Sequence, residues 1–283
     1  MEKYTLYFFK MKKFIDNKII LLYIRISLRI FEIISKYLSK EKTYNKKLSK
    51  KIFGEIARIN ILSKNLKIIG ASIDPYRSTN NIESIIAEYA PELLSQNTFF
   101  IEAGANDGIN ASNTYFLESL YGARGILIEP SASLFEQCRF NRDKSNIFEH
   151  CAIGNPKKDN ENLEFIYSGL MTVSTKVDVL NPDMHAIAGQ EFCSIEPYKF
   201  LAPLKSLTKI LKINKIKRVD FMSLDLEGGE IEALKGADLI NYTYKYILVE
   251  TRNKEEMESF MLKNGYKLII DLAPLDQLFK KII

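Results

Sequence analysis

The chain has 283 residues, a formal net charge of +5, and 46% hydrophobic and 27% charged residues, which is ordinary for a folded globular protein. Its three cysteines are widely separated and it has only two histidines. This composition excludes a disulfide framework, a CxxC metal pair and a multi-histidine metal site. The cysteine usage also favours a reducing, cytoplasmic setting.

The positive charge is concentrated at the N-terminus. Residues 1–51 hold fourteen Lys and Arg against four Asp and Glu, which leaves 26 basic and 31 acidic residues in the rest of the chain. The larger part of the chain is therefore mildly acidic. A basic arm of this kind suggests anionic partners, either lipid headgroups or nucleic acid.

Residues 14–38 predict a helix, because most of their charged side chains fall on one helical stripe and the rest are largely bulky and apolar. The longest uncharged apolar run, Ile19–Ile24, is far shorter than the about 20 residues of a membrane span. We expect residues 1–70 to form a helical extension and linker, and residues 71–283 to form one domain. The helix would pack on that domain or on a second copy, or lie on a membrane surface and make the protein membrane-peripheral. Nucleic-acid binding is the least favoured of these.

From residue 71 onward, short apolar runs of strand length alternate with runs of helix length. Predicted strands lie at 98–104, 125–129, 146–152, 163–167, 219–224, 246–250 and 267–271. Predicted helices run from a cap at Asn81 to about Leu94, and over 111–120, 132–142, 206–213, 229–235 and 254–263. This alternation indicates an α/β fold with a mostly parallel sheet covered by helices on both faces. Residues 168–202 are expected to be a long loop that forms part of an acceptor pocket or a lid.

The most informative stretch is Phe99–Gly108, a buried strand that ends in an acid and turns at glycine. About 20 residues later the next strand ends in a second acid, Glu129. In α/β sheets, a glycine turn followed at this distance by an acid is typical of a nucleoside site, where the acid accepts hydrogen bonds from ribose hydroxyls. An ordinary tight turn is the alternative.

The turn has the pattern Glu102-x-Gly104-x-x-x-Gly108 and not the GxGxxG of dinucleotide sites. Its carboxylates, Glu102 and Asp107, would repel a pyrophosphate but would attract the ammonium group of S-adenosylmethionine, which carries no phosphate. The third strand should line an adenine slot near Ala152. The predicted cofactor-binding residues are Glu102, Gly104, Asn106, Asp107, Gly108, Glu129 and Ala152.

A second acidic segment, Asp225–Glu230, follows the strand at 219–224 and contains two glycines. At the carboxyl end of a strand it lies where an acceptor is expected, and a carboxylate there can remove the proton of a hydroxyl group. Asp225 is predicted to be the general base, and Glu227 to orient the acceptor or hold a divalent cation. Glu230 more simply caps the following helix.

Three further positions have weaker signals. His185 is a second candidate base because its ordinary pKa lies near neutrality. Cys151 is expected to be a small buried hydrophobe and not a nucleophile. The segment Glu250–Arg252 ends the strand at 246–250 and could touch the acceptor.

Taken together, the motifs resemble those of the FkbM-type family of S-adenosylmethionine-dependent methyltransferases. The resemblance covers about residues 97–270 and is carried by the following segments: Phe100–Gly108, Ser112–Thr114 with Glu118, Ile128–Pro130, Asn141–Arg142, Ala152–Gly154 and Asp225–Glu230 with Leu234–Gly236. It implies a three-layer, Rossmann-like class I methyltransferase fold, with Gly104 and Glu129 at the cofactor and the Asp225 segment facing the active site. It also implies O-methylation, commonly of sugars in surface polysaccharides or of secondary metabolites.

The sequence therefore predicts a methyltransferase that acts on a hydroxyl of a glycan or small metabolite. Two other functions stay open. One is an NAD-dependent oxidoreductase, which the missing GxGxxG turn disfavours. The other is a non-catalytic methyltransferase-like module that binds or tethers a partner.

Overall fold

The computed structural model describes residues 77–78, 81–155, 157, 161–176, 181–193, 196–272 and 274–282. The predicted N-terminal helix and its membrane contact lie outside these residues. Within the described part of the chain, no helix has both the length and the apolar character that crossing a membrane requires.

The described residues form seven α-helices and eleven strands. The helices are α1 (Ile82–Tyr89), α2 (Tyr115–Tyr121), α3 (Ala132–Asn141), α4 (Pro182–Cys193), α5 (Leu207–Ile213), α6 (Glu230–Lys235) and α7 (Lys254–Lys263). The strands are β1 (Phe99–Ala103), β2 (Arg124–Ile128), β3 (Ile147–Glu149), β4 (Ala152–Ile153), β5 (Asn162–Tyr167), β6 (Val173–Ser174), β7 (Tyr198–Lys205), β8 (Arg218–Leu224), β9 (Thr243–Glu250), β10 (Tyr266–Asp271) and β11 (Asp276–Lys281). Short 3₁₀ turns lie at Pro91–Leu93 and Gly169–Met171.

The main sheet has seven strands in the order β10-β11-β9-β8-β1-β2-β3. The five strands from β9 to β3 in this order are parallel, and β11 runs antiparallel to both of its neighbours. One buried apolar cluster holds Ile101, Met222 and Ile247, and a second holds Phe100, Phe221 and Leu248. Successive side chains of a strand point to opposite faces, so the sheet is buried on both faces. The predicted α/β fold with a mostly parallel sheet is confirmed.

The strand order reverses beside β1, because the chain passes from β1 to β2 and β3 on one side and from β8 to β9 on the other. In open parallel sheets, ligands bind beyond the carboxyl ends of the strands at such a reversal. The two acidic motifs follow β1 and β8, so the topology places them at the same edge of the sheet.

The prediction of a long loop over residues 168–202 is wrong. Among its described residues lie a 3₁₀ turn, β6, α4 and the start of β7, and a second sheet has the order β4-β7-β5-β6. The signals for two of these elements were present in the sequence. Asn181 accepts backbone hydrogen bonds from Asp183 and Met184 in front of a helix that begins at proline, which is a typical helix start.

In β7, Tyr198, Phe200, Ala202 and Leu204 alternate with other residues, but Pro203 disguised the strand. This alternation is the period of two that a half-buried strand shows. Pro203 has no N–H to donate, yet its strand pairs with β5 on one side and, over Leu204 and Lys205, with β4 on the other.

Three smaller expectations also need correction. The predicted strand at 146–152 is two strands, since β3 pairs with β2 whereas β4 pairs with β7 of the second sheet. Asn81 does not cap α1 through its side chain; Ser78 Oγ accepts the N–H of Ile82 instead. Finally, β11 was not expected, because its Asp, Gln and Lys residues hide an apolar pair, Leu278 and Phe279, that is fully buried.

Candidate active site

A pocket of about 860 Å³, including its open mouth, lies beyond the carboxyl ends of β1, β2 and β8. The second sheet and the 3₁₀ turn before β6 form its far wall. The lining residues come from five segments: Gly104, Asn106, Asn110 and Ala111; Ile128, Glu129, Pro130 and Leu134; Cys151, Ala152 and Ile153; Leu163, Phe165, Gly169, Leu170, Thr172 and Ser174; and Asp225, Leu226, Glu227 and Gly229. Its lining combines apolar side chains with a few polar ones, as in small-molecule and cofactor sites.

Gly104 lies where the ends of β1 and β8 approach each other closely. Its φ is +83°, and a Cβ atom there would lie 2.1 Å from the carbonyl oxygen of Asp225. Any other residue would therefore push the two strand ends apart and strain the backbone. The amides of Gly104 and Ala105 both donate to the carbonyl of Ile128, at 3.1 and 3.0 Å, so the turn is also tied to β2.

Glu129 lies at the end of β2, where it is 5% exposed and lines the pocket. One carboxylate oxygen accepts the backbone N–H of Asn106 at 2.9 Å, and the other accepts that of Ser131 at 2.8 Å. Burial raises the pKa of Glu129 to about 7, although these two hydrogen bonds act in the opposite direction. Each oxygen keeps a second lone pair that can accept a hydroxyl from a ligand.

The role predicted for Glu102 needs correction. Its carboxylate is buried and accepts hydrogen bonds from Ser112, Asn113 and Thr114 at 2.6–2.9 Å, and Glu102 is not among the pocket-lining residues. It also pairs with the buried guanidinium of Arg142 at 3.1 Å. Glu102 therefore shapes the loop after β1 and lies outside the described lining of the pocket.

Asp107 and Gly108 also lie outside the pocket lining. The carboxylate of Asp107 accepts the backbone N–H groups of Ile109 and Asn110 at 2.9 and 2.8 Å, so it stabilises its own turn. A Cβ on Gly108 would come within 2.8 Å of Arg142. Close packing against Arg142 explains this glycine, and no contact with a cofactor is needed to do so.

Asp225 lines the pocket directly after β8. Its pKa is raised well above the ordinary value, first by burial and then by the neighbouring carboxylates of Glu250, Glu227, Glu230 and Asp276. A carboxylate with a raised pKa holds a proton more strongly, which suits a general base that works near neutral pH. The backbone N–H of Asp225 donates to Ala103 at 3.2 Å, so the residue has a fixed place beside β1.

Glu227 lines the same side of the pocket, and two cationic or potentially cationic groups approach it. Arg252 Nη2 donates to its Oε2 at 3.1 Å, and His185 Nε2 lies 3.2 Å from the same oxygen. Neither His185 nor Arg252 lines the pocket. The two weaker predictions, His185 and Glu250–Arg252, thus meet at Glu227, a contact that the sequence could not show because they lie in different elements.

Glu230 has a structural role, but not as the helix cap that the sequence predicts. Its Oε1 accepts the N–H groups of Leu226 and Gly228, both at 3.0 Å, so it fixes the turn before α6 more than the helix itself.

Beyond β3, Cys151 and Ala152 are buried and line the pocket, whereas the ring of His150 stacks on Phe135 outside it. Among the residues that the structure describes, no three His, Cys, Asp or Glu side chains are placed to hold one metal ion.

The pocket thus brings together Gly104, Asn106, Glu129 and Ala152 on one side and Asp225 and Glu227 on the other. A model of the FkbM methyltransferase domain matches residues 102–268, more than half of the chain, and spans all six of these residues. The chain belongs to the FkbM methyltransferase family. This assignment confirms the resemblance seen in the sequence and favours a methyltransferase over an oxidoreductase.

Solved structures similar to this FkbM domain include a methyltransferase FkbM from Methylobacillus flagellatus, with a TM-score of 0.41 and 15% identity over 66% of this chain. Only 44% of that protein is covered. A precorrin-6y C5,15-methyltransferase from Geobacter metallireducens has a TM-score of 0.36 and 10% identity, covering 75% of this chain and 96% of the other. A human methyltransferase 10 domain containing protein has a TM-score of 0.36 and 12% identity, covering 81% and 96%. No curated protein matches the chain.

Arg142 should be the most sensitive charged residue of this FkbM domain. We expect Arg142→Met to lower the free energy of unfolding by about 3–5 kcal/mol, because it leaves the buried carboxylate of Glu102 and the largely buried one of Glu118 without their cation. Urea denaturation measures this loss. Arg139→Met is the matched control, since Arg139 is half-exposed, pairs with Glu136 at the surface and should cost at most about 1 kcal/mol. Equal losses in the two variants would contradict the role given to Arg142.

Glu129 should make stability depend on pH. Its folded-state pKa of about 7 lies above its ordinary value of 4.5, so its contribution to stability is full below pH 4.5 and is lost as the pH rises toward 7. Each tenfold change in proton affinity is worth about 1.4 kcal/mol. Relative to Glu129→Gln, the wild type should therefore lose stability between about pH 4.5 and 7, as measured by denaturation at each pH. The exposed Glu136→Gln should show no such trend, and a flat or rising difference for Glu129→Gln would refute the prediction.

Proposed function

We propose that this chain is an S-adenosylmethionine-dependent O-methyltransferase, and that its acceptor is a hydroxyl group of a sugar, glycan or small metabolite. One observation carries the proposal. The described lining of the pocket contains three carboxylates, Glu129, Asp225 and Glu227, and no Lys or Arg.

This charge pattern suits the proposed cofactor. A pyrophosphate needs cations or a row of backbone N–H groups, and a wall of carboxylates repels it. S-adenosylmethionine has a cationic sulfonium, an ammonium group and two ribose hydroxyls. Glu129 would hold the ribose, since its oxygens keep free lone pairs, and the buried stretch Cys151–Ile153 would lie along the adenine.

Glu129 and the stretch Cys151–Ile153 would hold the cofactor, which would supply a methyl group on sulfur for transfer to the acceptor oxygen, with the electron pair of the broken carbon–sulfur bond left on sulfur. Asp225 removes the proton of the acceptor hydroxyl as the new carbon–oxygen bond forms, and later releases that proton to solvent at the pocket mouth. General-base assistance of this kind contributes about 10²–10⁴-fold to a rate. The rest of the rate acceleration comes from alignment of the reacting atoms by the pocket.

The far wall supports an acceptor of mixed polarity. Leu163, Phe165 and Leu170 are apolar, and Thr172 and Ser174 add hydroxyl groups. A sugar has both apolar C–H faces and hydroxyl groups, so this wall is compatible with the glycan acceptor that the family resemblance suggests.

Cofactor choice is tested by isothermal titration calorimetry with S-adenosylhomocysteine and with NAD. We expect binding of S-adenosylhomocysteine and none of NAD. Glu129→Ala should weaken the binding of S-adenosylhomocysteine about 10- to 100-fold, because it removes hydrogen bonds to a charged group. The surface variant Glu136→Ala is the control and should bind normally. Preferential binding of NAD would sink the proposal.

The catalytic assignment is tested with Asp225→Asn. Methyl transfer from labelled S-adenosylmethionine to acceptors should fall by about 10²–10⁴-fold, while S-adenosylhomocysteine still binds, because only the base is lost. The exposed Asp183→Asn should keep full turnover. Full activity of Asp225→Asn would remove Asp225 as the base, whereas cofactor binding without transfer to any acceptor in the wild type would favour the binding-module alternative.

A further inference from the structure

Three elements that are distant in sequence meet at the carboxylate of Glu227. His185 comes from α4, Glu227 from the turn after β8, and Arg252 from the turn after β9. His185 Nε2 and Arg252 Nη2 lie 3.2 and 3.1 Å from the same atom, Glu227 Oε2. The side chain of Glu227 is 12% exposed, and that of His185 is 6% exposed.

Glu227 is held in an unusual conformation. Its φ is +51°, in the left-handed region, and the next residue, Gly228, has φ +103°. A non-glycine residue in this region is strained and persists only where its surroundings hold it. Glu230 supplies part of that support by accepting the N–H of Gly228. The strain is therefore located at a residue that lines the pocket.

His185 contributes a buried polar atom that is not satisfied. Its Nε2 has no solvent contact and no hydrogen bond of good geometry within the described part of the chain, although Glu227 lies 3.2 Å away. Burial lowers the pKa of His185, Glu227 opposes this and Arg252 lowers the pKa further, and the net lowering favours the neutral ring. A neutral ring that faces a carboxylate carries its proton on Nε2. Hydrogen bonds in unliganded active sites are often poorly aligned and tighten when the substrate binds.

The helix that carries His185 is joined to the pocket wall. Gly189, one turn later on α4, packs against Ser168 so closely that a Cβ would lie 2.6 Å from Ser168 Oγ. Ser168 precedes the turn Gly169–Met171, and its hydroxyl donates to Met171 at 2.6 Å. Gly169 and Leu170 line the pocket. His185 thus reaches Glu227 from an element fixed to the far wall.

We propose that His185 is a positioning residue which, together with Arg252, aims the Glu227 carboxylate into the pocket, where its other oxygen accepts a hydrogen bond from a second polar hydrogen of the acceptor. The inference rests on the proposed function and adds a requirement to it. The acceptor carries a donor group besides the hydroxyl that is methylated. No described residue bonds Glu227 Oε1, so that atom is available to the acceptor.

The first test compares His185→Ala and His185→Gln with the control Met184→Ala. Met184 directly precedes His185 in the sequence and is 63% exposed. Methyl transfer to a panel of methyl glycosides gives kcat and KM, and calorimetry gives the affinity for S-adenosylhomocysteine. His185→Ala should raise the acceptor KM about tenfold, the size of one hydrogen bond to a charged group, and leave cofactor affinity within about twofold. His185→Gln keeps an N–H at the same distance along the side chain and should restore most of the affinity.

A merely structural role would give a different pattern. Equal defects in His185→Ala and His185→Gln, a similar defect in Met184→Ala, or weakened cofactor binding would overturn the inference. Wild-type protein that binds no S-adenosylhomocysteine would instead overturn the proposed function.

The second test needs no acceptor. The chain has two histidines, so NMR of the ring nitrogens gives two sets of signals, which His150→Gln assigns. Glu227→Gln should shift the ring signals of His185 and leave those of His150 unchanged, whereas Glu232→Gln should shift neither. Unmoved His185 signals in Glu227→Gln would overturn the inference whatever the enzyme methylates.

Discussion

The buried guanidinium of Arg142 holds together the loop on which the pocket depends. It donates to Glu118 at 2.8 Å and to Glu102 at 3.1 Å, and also to the carbonyl of Gly108. Moving an ion out of water costs several kcal/mol, which is offset only when partners satisfy its hydrogen-bonding groups. The hydroxyls of Ser112 and Thr114 complete that set. The chain between β1 and α2 therefore has one arrangement in which this charge is satisfied.

This arrangement determines what the pocket presents. Because Glu102 is used by Arg142 and by the hydroxyls of its loop, the acid available to a ligand is Glu129, at the next strand end. Asn106, in the loop after β1, donates its N–H to Glu129 and so connects this loop to the end of β2. On the opposite side, burial and the carboxylates that surround Asp225 raise its pKa. The same acidity that disfavours a pyrophosphate thus makes Asp225 a stronger base.

The second sheet and α4 add what the main sheet lacks. In the proposed mechanism the main sheet supplies Glu129 for the cofactor and Asp225 as the base, and β5, β6 and the turn before β6 close the pocket from the far side. Through His185, α4 also reaches the carboxylate most suited to orient an acceptor. Acceptor recognition would then depend on the segment between residues 162 and 205 as much as on the main sheet. Such division of labour is common, because function resides in sites added to a shared scaffold.

The sequence by itself determined the parallel sheet, the order of its main elements and the placement of Gly104 and Glu129 at one edge of the sheet, since these follow from local patterns of apolar residues, glycines and acids. It also predicted α7 at 254–263 to the residue, because a polar cap at Asn253 and a change of period mark its limits. Only the tertiary structure decided which acids face the pocket. Glu102 and Glu129 look alike as strand-end carboxylates, but Arg142, forty residues away from Glu102, removes one of them from the site. The meeting of His185, Glu227 and Arg252 was equally hidden, because contacts between distant segments arise from packing and leave no periodic trace in the chain.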